Sequence, residues 1–156
     1  MYVVKDNVHI NAPIERCFLL STSGDLAAQT IGMKPVRGKT SGLVAGGDRV
    51  LWRGWKFGLP ARHESVITQY SAPTFFQDSM ARGLFRTFQH DHEFTAIGGQ
   101  VLLKDTVRFS MPLGPAGRLV GKRILIPHFR GLIQRRFELL RRVAESDEWR
   151  NYLPEA

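Results

Sequence analysis

The sequence has little cysteine and no long apolar run. Cys17 is the single cysteine among 156 residues, which excludes an intrachain disulfide and leaves too few thiolates for a cysteine metal site. No stretch approaches the roughly 18 apolar residues of a membrane-spanning helix. The first residues become polar at Lys5 and Asp6 and contain no apolar region of a secretory signal. We therefore expect a reducing compartment, with the cytoplasm as the location.

Acidic residues are scarce near the C-terminal end. The net charge is +8, and between Gly117 and Arg142 a single acidic residue, Glu138, accompanies eight basic ones. The basic residues are Arg118, Lys122, Arg123, Arg130, Arg135, Arg136, Arg141 and Arg142. Such a segment is either the solvated outer face of an amphipathic helix or a surface for an anionic partner such as a membrane. Nucleic acid is not the partner that we expect.

The composition is that of one globular domain. The chain is 43% hydrophobic and 23% charged, which excludes a disordered or fibrous protein. A chain of this size is long enough to bury one core. We expect a single domain over residues 1–147 and a frayed tail over 148–156.

The pattern of apolar residues predicts an α+β order. Alternation over 2–10 predicts a strand, Pro13 begins a short helix, and a second short helix runs from Asp25 to about Ile31 before Gly32. Six further strands are predicted near 33–39, 48–57, 61–71, 74–82, 85–95 and 101–110. The pair Gly98-Gly99 predicts a two-residue turn that makes the last two strands antiparallel neighbours.

After the strands the apolar period changes to about 3.6 residues, which predicts a long amphipathic helix. Its apolar positions are Phe129, Leu132, Ile133, Phe137, Leu140, Val143 and Ala144. Pro127 lacks an N–H group and is expected to break or kink the helix, leaving a shorter helical piece near 117–125.

Strand parity brings two histidines and a carboxylate together. Phe88, His90, His92 and Phe94 share one face of their strand. The Gly98-Gly99 turn pairs His92 with Asp105 and His90 with Val107 on the next strand. Three interpretations stay open for the cluster: a satisfied polar network, an anchor for the polar end of a ligand, and a facial metal triad.

Several motifs carry a family resemblance. Residues 8–18 match the pattern V-x-I-x-A-P-x-E-x-V-F, with Cys17 in place of the valine. The middle matches F-x-D-x-x-x-x-G-x-F-x-x-x-x-H-x-H-x-F through Phe76, Asp78, Gly83, Phe85, His90, His92 and Phe94. The continuation D-x-V-x-F-x-x-P-x-G is present as Asp105, Val107, Phe109, Pro112 and Gly114. The chain resembles the START-like or SRPBCC superfamily, which includes the birch-pollen allergen fold and the polyketide cyclases. Within it, a bacterial ligand-binding branch is the most similar.

The resemblance implies a helix-grip α+β fold. In it, a curved antiparallel sheet of about six to seven strands wraps around the long C-terminal helix, with two short helices after the first strand. It also implies binding, carriage or sensing of a small lipophilic ligand between sheet and helix. The expected contacts are Trp55, Phe76, Asp78, Met80, Phe88, His90, His92, Phe94, Leu103, Asp105, Val107, Phe109, Phe129, Ile133 and Phe137. Since Trp52 and Trp55 have opposite parity, only one of them should line the cavity, and Arg53 or Arg62 could neutralise Asp78.

Motifs of a nucleophile, a phosphate loop or a dinucleotide site are missing. The first alternative to a binding domain is an enzyme of the cyclase or dehydratase type, with His90, His92 and Asp105 as acid and base groups. The second is an interaction module that uses the basic last helix. We expect no cofactor and no metal.

Overall fold

The computed structural model describes residues 1–154, and its centre is a sheet of seven antiparallel strands. The strands are β1 (Tyr2–Ile10), β2 (Met33–Gly38), β3 (Arg49–Lys56), β4 (Leu59–Ser71), β5 (Phe75–Arg82), β6 (Thr87–Ile97) and β7 (Gln100–Ser110). Their order across the sheet is β1-β7-β6-β5-β4-β3-β2. Two irregularities in the pairing of β4 with β5 supply the bulges that bend a strand.

Two short helices connect β1 to β2, as predicted. They are α1 (Ile14–Ser21), which begins directly after Pro13, and α2 (Gly24–Ile31). The Ser23 hydroxyl caps α2 by accepting a hydrogen bond of 3.3 Å from the Leu26 N–H. Gly32 ends the helix with a φ of 69°, a value that suits glycine.

The predicted turn between β6 and β7 is confirmed. Gly98 and Gly99 both have positive φ, which a tight hairpin turn requires. The turn sets His92 opposite Asp105 and His90 opposite Val107, as the sequence predicts. This register places the side chains that meet in the site.

The C-terminal helix consists of α3 (Gly114–Val120), a π-helical segment (Gly121–Leu125) and α4 (Ile126–Ala144). The helix does not break at Pro127, because the three pieces follow one another without interruption; the predicted shorter piece near 117–125 corresponds to the end of α3 and the π-helical segment. Pro127 lies in the first turn of α4, where a missing N–H is tolerated, directly after the wider π turn. The hydrogen-bond spacing thus changes just ahead of the proline, and the chain stays helical.

The tail does not fray over its described part. Asp147–Asn151 forms a 3₁₀ helix, the guanidinium of Arg16 lies 4.4 Å from the Trp149 ring, and Leu153 is buried. The prediction missed these contacts because the residues form no periodic apolar pattern. Residues 155 and 156 of the predicted tail lie outside the described residues.

The core lies between the sheet and α4. Phe129, Ile133, Phe137 and Leu140 of α4 are buried, as the apolar period predicts. They pack with Phe18 and Leu20 of α1 and with inward residues of β6 and β7. The architecture is thus the predicted helix-grip α+β fold. None of the helices in the described residues has both the length and the apolar character needed to cross a membrane.

Candidate functional site

A cavity of about 560 Å³ lies between the inner face of the sheet and the C-terminal helix. Its wall is mostly apolar, and its volume falls in the range of pockets that hold small molecules. Residues of α2, β3, β4, β5, β6 and the C-terminal helix contribute to the wall.

Seven of the fifteen predicted contact residues line this cavity: Phe76, Asp78, Phe88, His90, His92, Val107 and Phe129. Six others are buried but do not line it, and they are Phe94, Leu103, Asp105, Phe109, Ile133 and Phe137. The sheet packs directly on α1 and α4 at these positions; the Phe94 ring, for example, lies 5.3 Å from the Phe18 ring. Strand parity finds the inner face but does not separate its core part from its cavity part.

The remaining two predicted contacts, Trp55 and Met80, do not line the cavity either. Trp55 is 69% exposed, whereas Trp52 is buried and lines the cavity. Trp52 shares the inward face of β3 with Val50, so parity turns Trp55 outward. Met80 is only half-buried and is directed toward Gly83 instead of the cavity, since a Cβ atom on Gly83 would lie 2.6 Å from the Met80 sulfur.

Arg136 is the functional residue that the sequence reasoning missed. The sequence places Arg136 among the basic residues of the predicted solvated face, but the side chain is only 7% exposed and lines the cavity. The signal was available, because Arg136 lies three residues after Ile133 and directly before Phe137, on the apolar stripe of α4. The predicted partners Arg53 and Arg62 form no ion pair with Asp78; Arg53 points to the outside of the sheet.

Asp105 is the centre of a buried polar network. It has no exposed surface, its Oδ1 lies 3.0 Å from His92 Nδ1, and its Oδ2 accepts a hydrogen bond of 3.1 Å from Arg136 Nε. His90 Nε2 lies 3.2 Å from the same Oδ2. That contact is not aligned as a hydrogen bond, and His90 Nε2 has no hydrogen-bond partner within residues 1–154.

The network reaches the cavity through His92. Its Nε2 lies 3.1 Å from Asp78 Oδ2, and the Phe76 ring stacks on the imidazole at 4.1 Å between centroids. Arg136 Nη2 lies 3.2 Å from His92 Nδ1 and donates to the Ser21 carbonyl at 3.5 Å. His92, Asp105 and Arg136 are each held by neighbours from two or more other elements, whereas Asp78 contacts histidines of β6 alone.

Charges within the network offset one another. Burial opposes ionisation of Asp105, but His92 and Arg136 outweigh it and hold the pKa of this carboxyl well below its usual range. Burial likewise disfavours the His92 imidazolium, yet the Asp105 carboxylate raises the pKa of His92 above its ordinary value. Burial and the neighbouring His92 lower the pKa of His90. The carboxylates of Asp78 and Asp105 thus lie against the Arg136 guanidinium and the His92 imidazole, which favours the interpretation as a satisfied network.

The same cluster can hold a metal ion, although not with the predicted residues. Asp78, His90 and His92 each present one ligand atom, and these atoms lie within 4.8 Å of one another. The sequence suggested Asp105 as the carboxylate of this triad. Asp105 instead lies behind the two imidazoles and does not line the cavity.

Exposed apolar residues surround the mouth of the cavity. They are Phe57, Leu59, Leu84, Val120 and Ile124, which both line the cavity and remain exposed to solvent. A lipophilic molecule can therefore enter along an apolar path.

Comparisons with known proteins give likenesses in structure. No protein-family model matches the chain, and no curated protein sequence matches it. The di-domain ARO/CYC StfQ from the steffimycin biosynthetic pathway superposes with a TM-score of 0.72 and 12% identity, over 94% of this chain and 51% of StfQ. TTHA0849 from Thermus thermophilus gives 0.65 and 16% identity, over 89% of this chain and 97% of that protein. Ara h 8.0201 gives 0.64 and 13% identity, over 92% and 97% of the two chains. The chain therefore shares the fold of these proteins, which is the helix-grip fold that the sequence resemblance implies.

Proposed function

We propose that this protein binds a small lipophilic ligand that carries one hydrogen-bonding end, and that it carries or senses that ligand. The observation behind the proposal is the mostly apolar cavity of about 560 Å³ with a compact polar cluster, Asp78, His90 and His92, in its wall. Apolar surface of the ligand that leaves water contributes about 25 cal/mol per Å² to binding.

The polar cluster selects the chemistry of the ligand's other end. Asp78 carries a carboxylate at the cavity wall, since its hydrogen bond to His92 and the nearby histidines lower its pKa against the opposing effect of burial. A carboxylate accepts hydrogen bonds and repels anions, so a hydroxyl or phenol suits this position. Nucleotides fit poorly because the cations that line the cavity form no phosphate site: Arg136 pairs with Asp105, Lys56 donates to the Ile31 carbonyl, and Arg62 is exposed, so several phosphate charges would lose water without a matched set of partners.

A thermal-shift screen tests the proposal. A ligand present at about 100 times its dissociation constant adds roughly 2.7 kcal/mol to the free energy of unfolding. We expect fatty, aromatic or polyketide-like compounds to raise the melting temperature and nucleotides to leave it unchanged. Replacing the cavity residue Ala61 by Trp should abolish the shift, while the exposed position Ala96 accepts Trp without effect. A shift from nucleotides alone would refute the proposal.

One observation favours acid and base chemistry in the same cavity as a second candidate. His90 lies in the wall, and its lowered pKa favours the neutral imidazole that can accept a proton from a bound ketone. The ARO/CYC protein StfQ shares the fold. Asp105 cannot contact a substrate in the cavity, because it lies behind the two histidines. Turnover of a polyketone thioester that His90→Gln abolishes, with cavity binding retained, would establish this function; no turnover leaves binding alone.

We also propose an anionic membrane surface as the partner at the mouth of the cavity, where ligand would enter and leave. Exposed Val120 and Ile124 lie beside the exposed basic residues Lys122 and Arg123. Apolar and basic side chains on one surface suit the boundary of an anionic bilayer.

A further inference from the structure

We propose that Asp78, His90 and His92 form a binding site for a divalent first-row transition-metal ion in the wall of the cavity. The site goes beyond the binding of a lipophilic ligand and does not rest on it. Asp78 on β5 lies directly opposite His90 on β6, and His92 follows two residues later on the same face. All three side chains line the cavity.

The ligand atoms are spaced for one ion. Asp78 Oδ2 lies 3.1 Å from His92 Nε2 and 3.9 Å from His90 Nδ1. Nitrogen and oxygen ligands that bind one ion at about 2.0–2.2 Å lie about 3–3.5 Å from each other. The first distance already fits and the second exceeds the range by a few tenths of an ångström. All three ligand atoms lie within 4.8 Å of one another, so side-chain torsions would bring them onto one ion.

A common carboxylate, Asp105, lies behind the two imidazoles: it is hydrogen-bonded to His92 and in contact with His90. His92 turns Nδ1 to Asp105 Oδ1 at 3.0 Å and so directs Nε2 at the site. His90 does the reverse, with Nε2 3.2 Å from Asp105 Oδ2 and Nδ1 directed at the site. A carboxylate that receives the second nitrogen of each metal-binding histidine is the usual support of such a centre. Arg136 holds Asp105 in place at 3.1 Å.

The missing hydrogen bond of His90 favours a metal site over a polar network whose hydrogen bonds are all satisfied. Its Nε2 has no aligned hydrogen-bond partner within residues 1–154, and its Nδ1 is beyond hydrogen-bonding distance of Asp78. A buried imidazole without a hydrogen bond is unfavourable. An ion bound to Nδ1 removes this deficit, because it directs the remaining N–H at the Asp105 carboxylate.

The donor set also indicates the class of ion. Two imidazole nitrogens and one carboxylate oxygen suit Zn²⁺ and its first-row neighbours, whereas Mg²⁺ and Ca²⁺ prefer oxygen alone. Three protein ligands leave at least one coordination position that faces the cavity. A hydroxyl or carbonyl of a bound molecule can occupy it.

Metal titration of protein that has been dialysed against a chelator tests the site without any lipophilic ligand. Calorimetry with Zn²⁺ and visible absorption with Co²⁺ should both report one ion per chain. Asp78→Asn and His92→Gln should lose this binding, and Asp105→Asn should weaken it by about 10–100-fold. His128→Gln is the matched control, because His128 lines the same cavity outside the cluster and should leave the affinity unchanged.

Imidazole nitrogen NMR of the unsubstituted protein keeps the test decisive if a variant fails to fold. Zn²⁺ should shift the signals of His90 Nδ1 and His92 Nε2 and leave those of His128 in place. The proposal is overturned if the unsubstituted protein binds neither ion, if the shifts occur at the exposed His9 instead, or if folded Asp78→Asn binds Zn²⁺ as tightly as the unsubstituted chain.

Discussion

Asp105 and Arg136 depend on each other because both are buried. Removing one partner of a buried ion pair leaves an uncompensated charge and costs about 3–5 kcal/mol. We expect Asp105→Asn to lower the free energy of unfolding by that amount in urea denaturation. We also expect the double variant with Arg136→Gln to lose clearly less than the two single losses together, because neither charge is then left alone.

The comparison of the double variant with the two single variants is a double-mutant cycle, and the pair Glu93 and Lys104 provides its control. They also pair across β6 and β7, at 3.5 Å, but about half of each side chain is exposed to solvent. Exposed pairs contribute about 0–1 kcal/mol. Equal coupling in the two cycles would contradict the burial of the Asp105 network.

His63 makes stability depend on pH. Burial lowers the pKa of His63, and the nearby Asp78 carboxylate offsets this only in part. The unfolded chain then takes up its proton near pH 6.5, before the folded chain does, so stability falls as the pH drops below about 6.5. We expect His63→Phe to lose less stability than the unsubstituted protein between about pH 7.5 and pH 5.5, measured by urea denaturation. Equal losses would show that His63 titrates alike in both states.

At the residue scale, parity and turn chemistry predict which side chains meet, but not all of their partners. The period of two and the Gly98-Gly99 turn are sufficient to set His92 opposite Asp105. The sequence does not predict the burial of Arg136, because an arginine in a basic segment is usually solvated. Its burial is favourable only because the Asp105 carboxylate pairs with it. Asp78 was found through parity, yet its place in the cluster depends on the β5 and β6 register, which no short turn signal fixes.

At the scale of elements, the two aromatic residues of α4 should differ in their effects on stability. Phe137 is packed in the core, while Phe129 borders the cavity. Phe137→Ala should destabilise by about 3–5 kcal/mol, the usual range for a buried phenylalanine. Phe129→Ala should cost less, since part of its ring already faces open space. Urea denaturation distinguishes the two, and equal losses would mean that the ring of Phe129 is packed on all sides.

The elements themselves follow closely from local signals. Each predicted strand and both short helices exist within a few residues of their expected bounds, because Gly, Pro and the apolar period mark them. The π-helical segment ahead of Pro127 has no such signal. It results from the fit of α3 and α4 to the rest of the molecule; Gly121, for instance, packs so tightly on Tyr2 that an added Cβ would lie 2.5 Å from its ring.

At the scale of the molecule, the mouth of the cavity joins apolar and basic surfaces. The β3–β4 turn carries Phe57 at a φ of 54° although glycine or asparagine is favoured there, and its side chain is 60% exposed. A positive φ is unfavourable for phenylalanine, and exposed residues held in unfavourable backbone conformations are often found at functional sites. No acidic residue occurs between Asp105 and Glu138, so the segment that borders this mouth is basic.

If the mouth of the cavity binds a membrane, a substitution at Phe57 should weaken vesicle binding without lowering the stability of the protein. Phe57→Asn should keep or raise the melting temperature, because asparagine tolerates positive φ, but it should weaken binding to phosphatidylglycerol vesicles about tenfold or more through the lost apolar contact. Cosedimentation measures this. Ile97→Asn is the control. Ile97 is also exposed, but it lies at the C-terminal end of β6, beside the Gly98-Gly99 turn, and does not line the cavity. Binding should weaken with added salt and be poor on phosphatidylcholine alone, because exposed charges are screened. If both substitutions weaken binding equally, the mouth is not the docking surface, and the charge of the C-terminal helix acts without a preferred orientation.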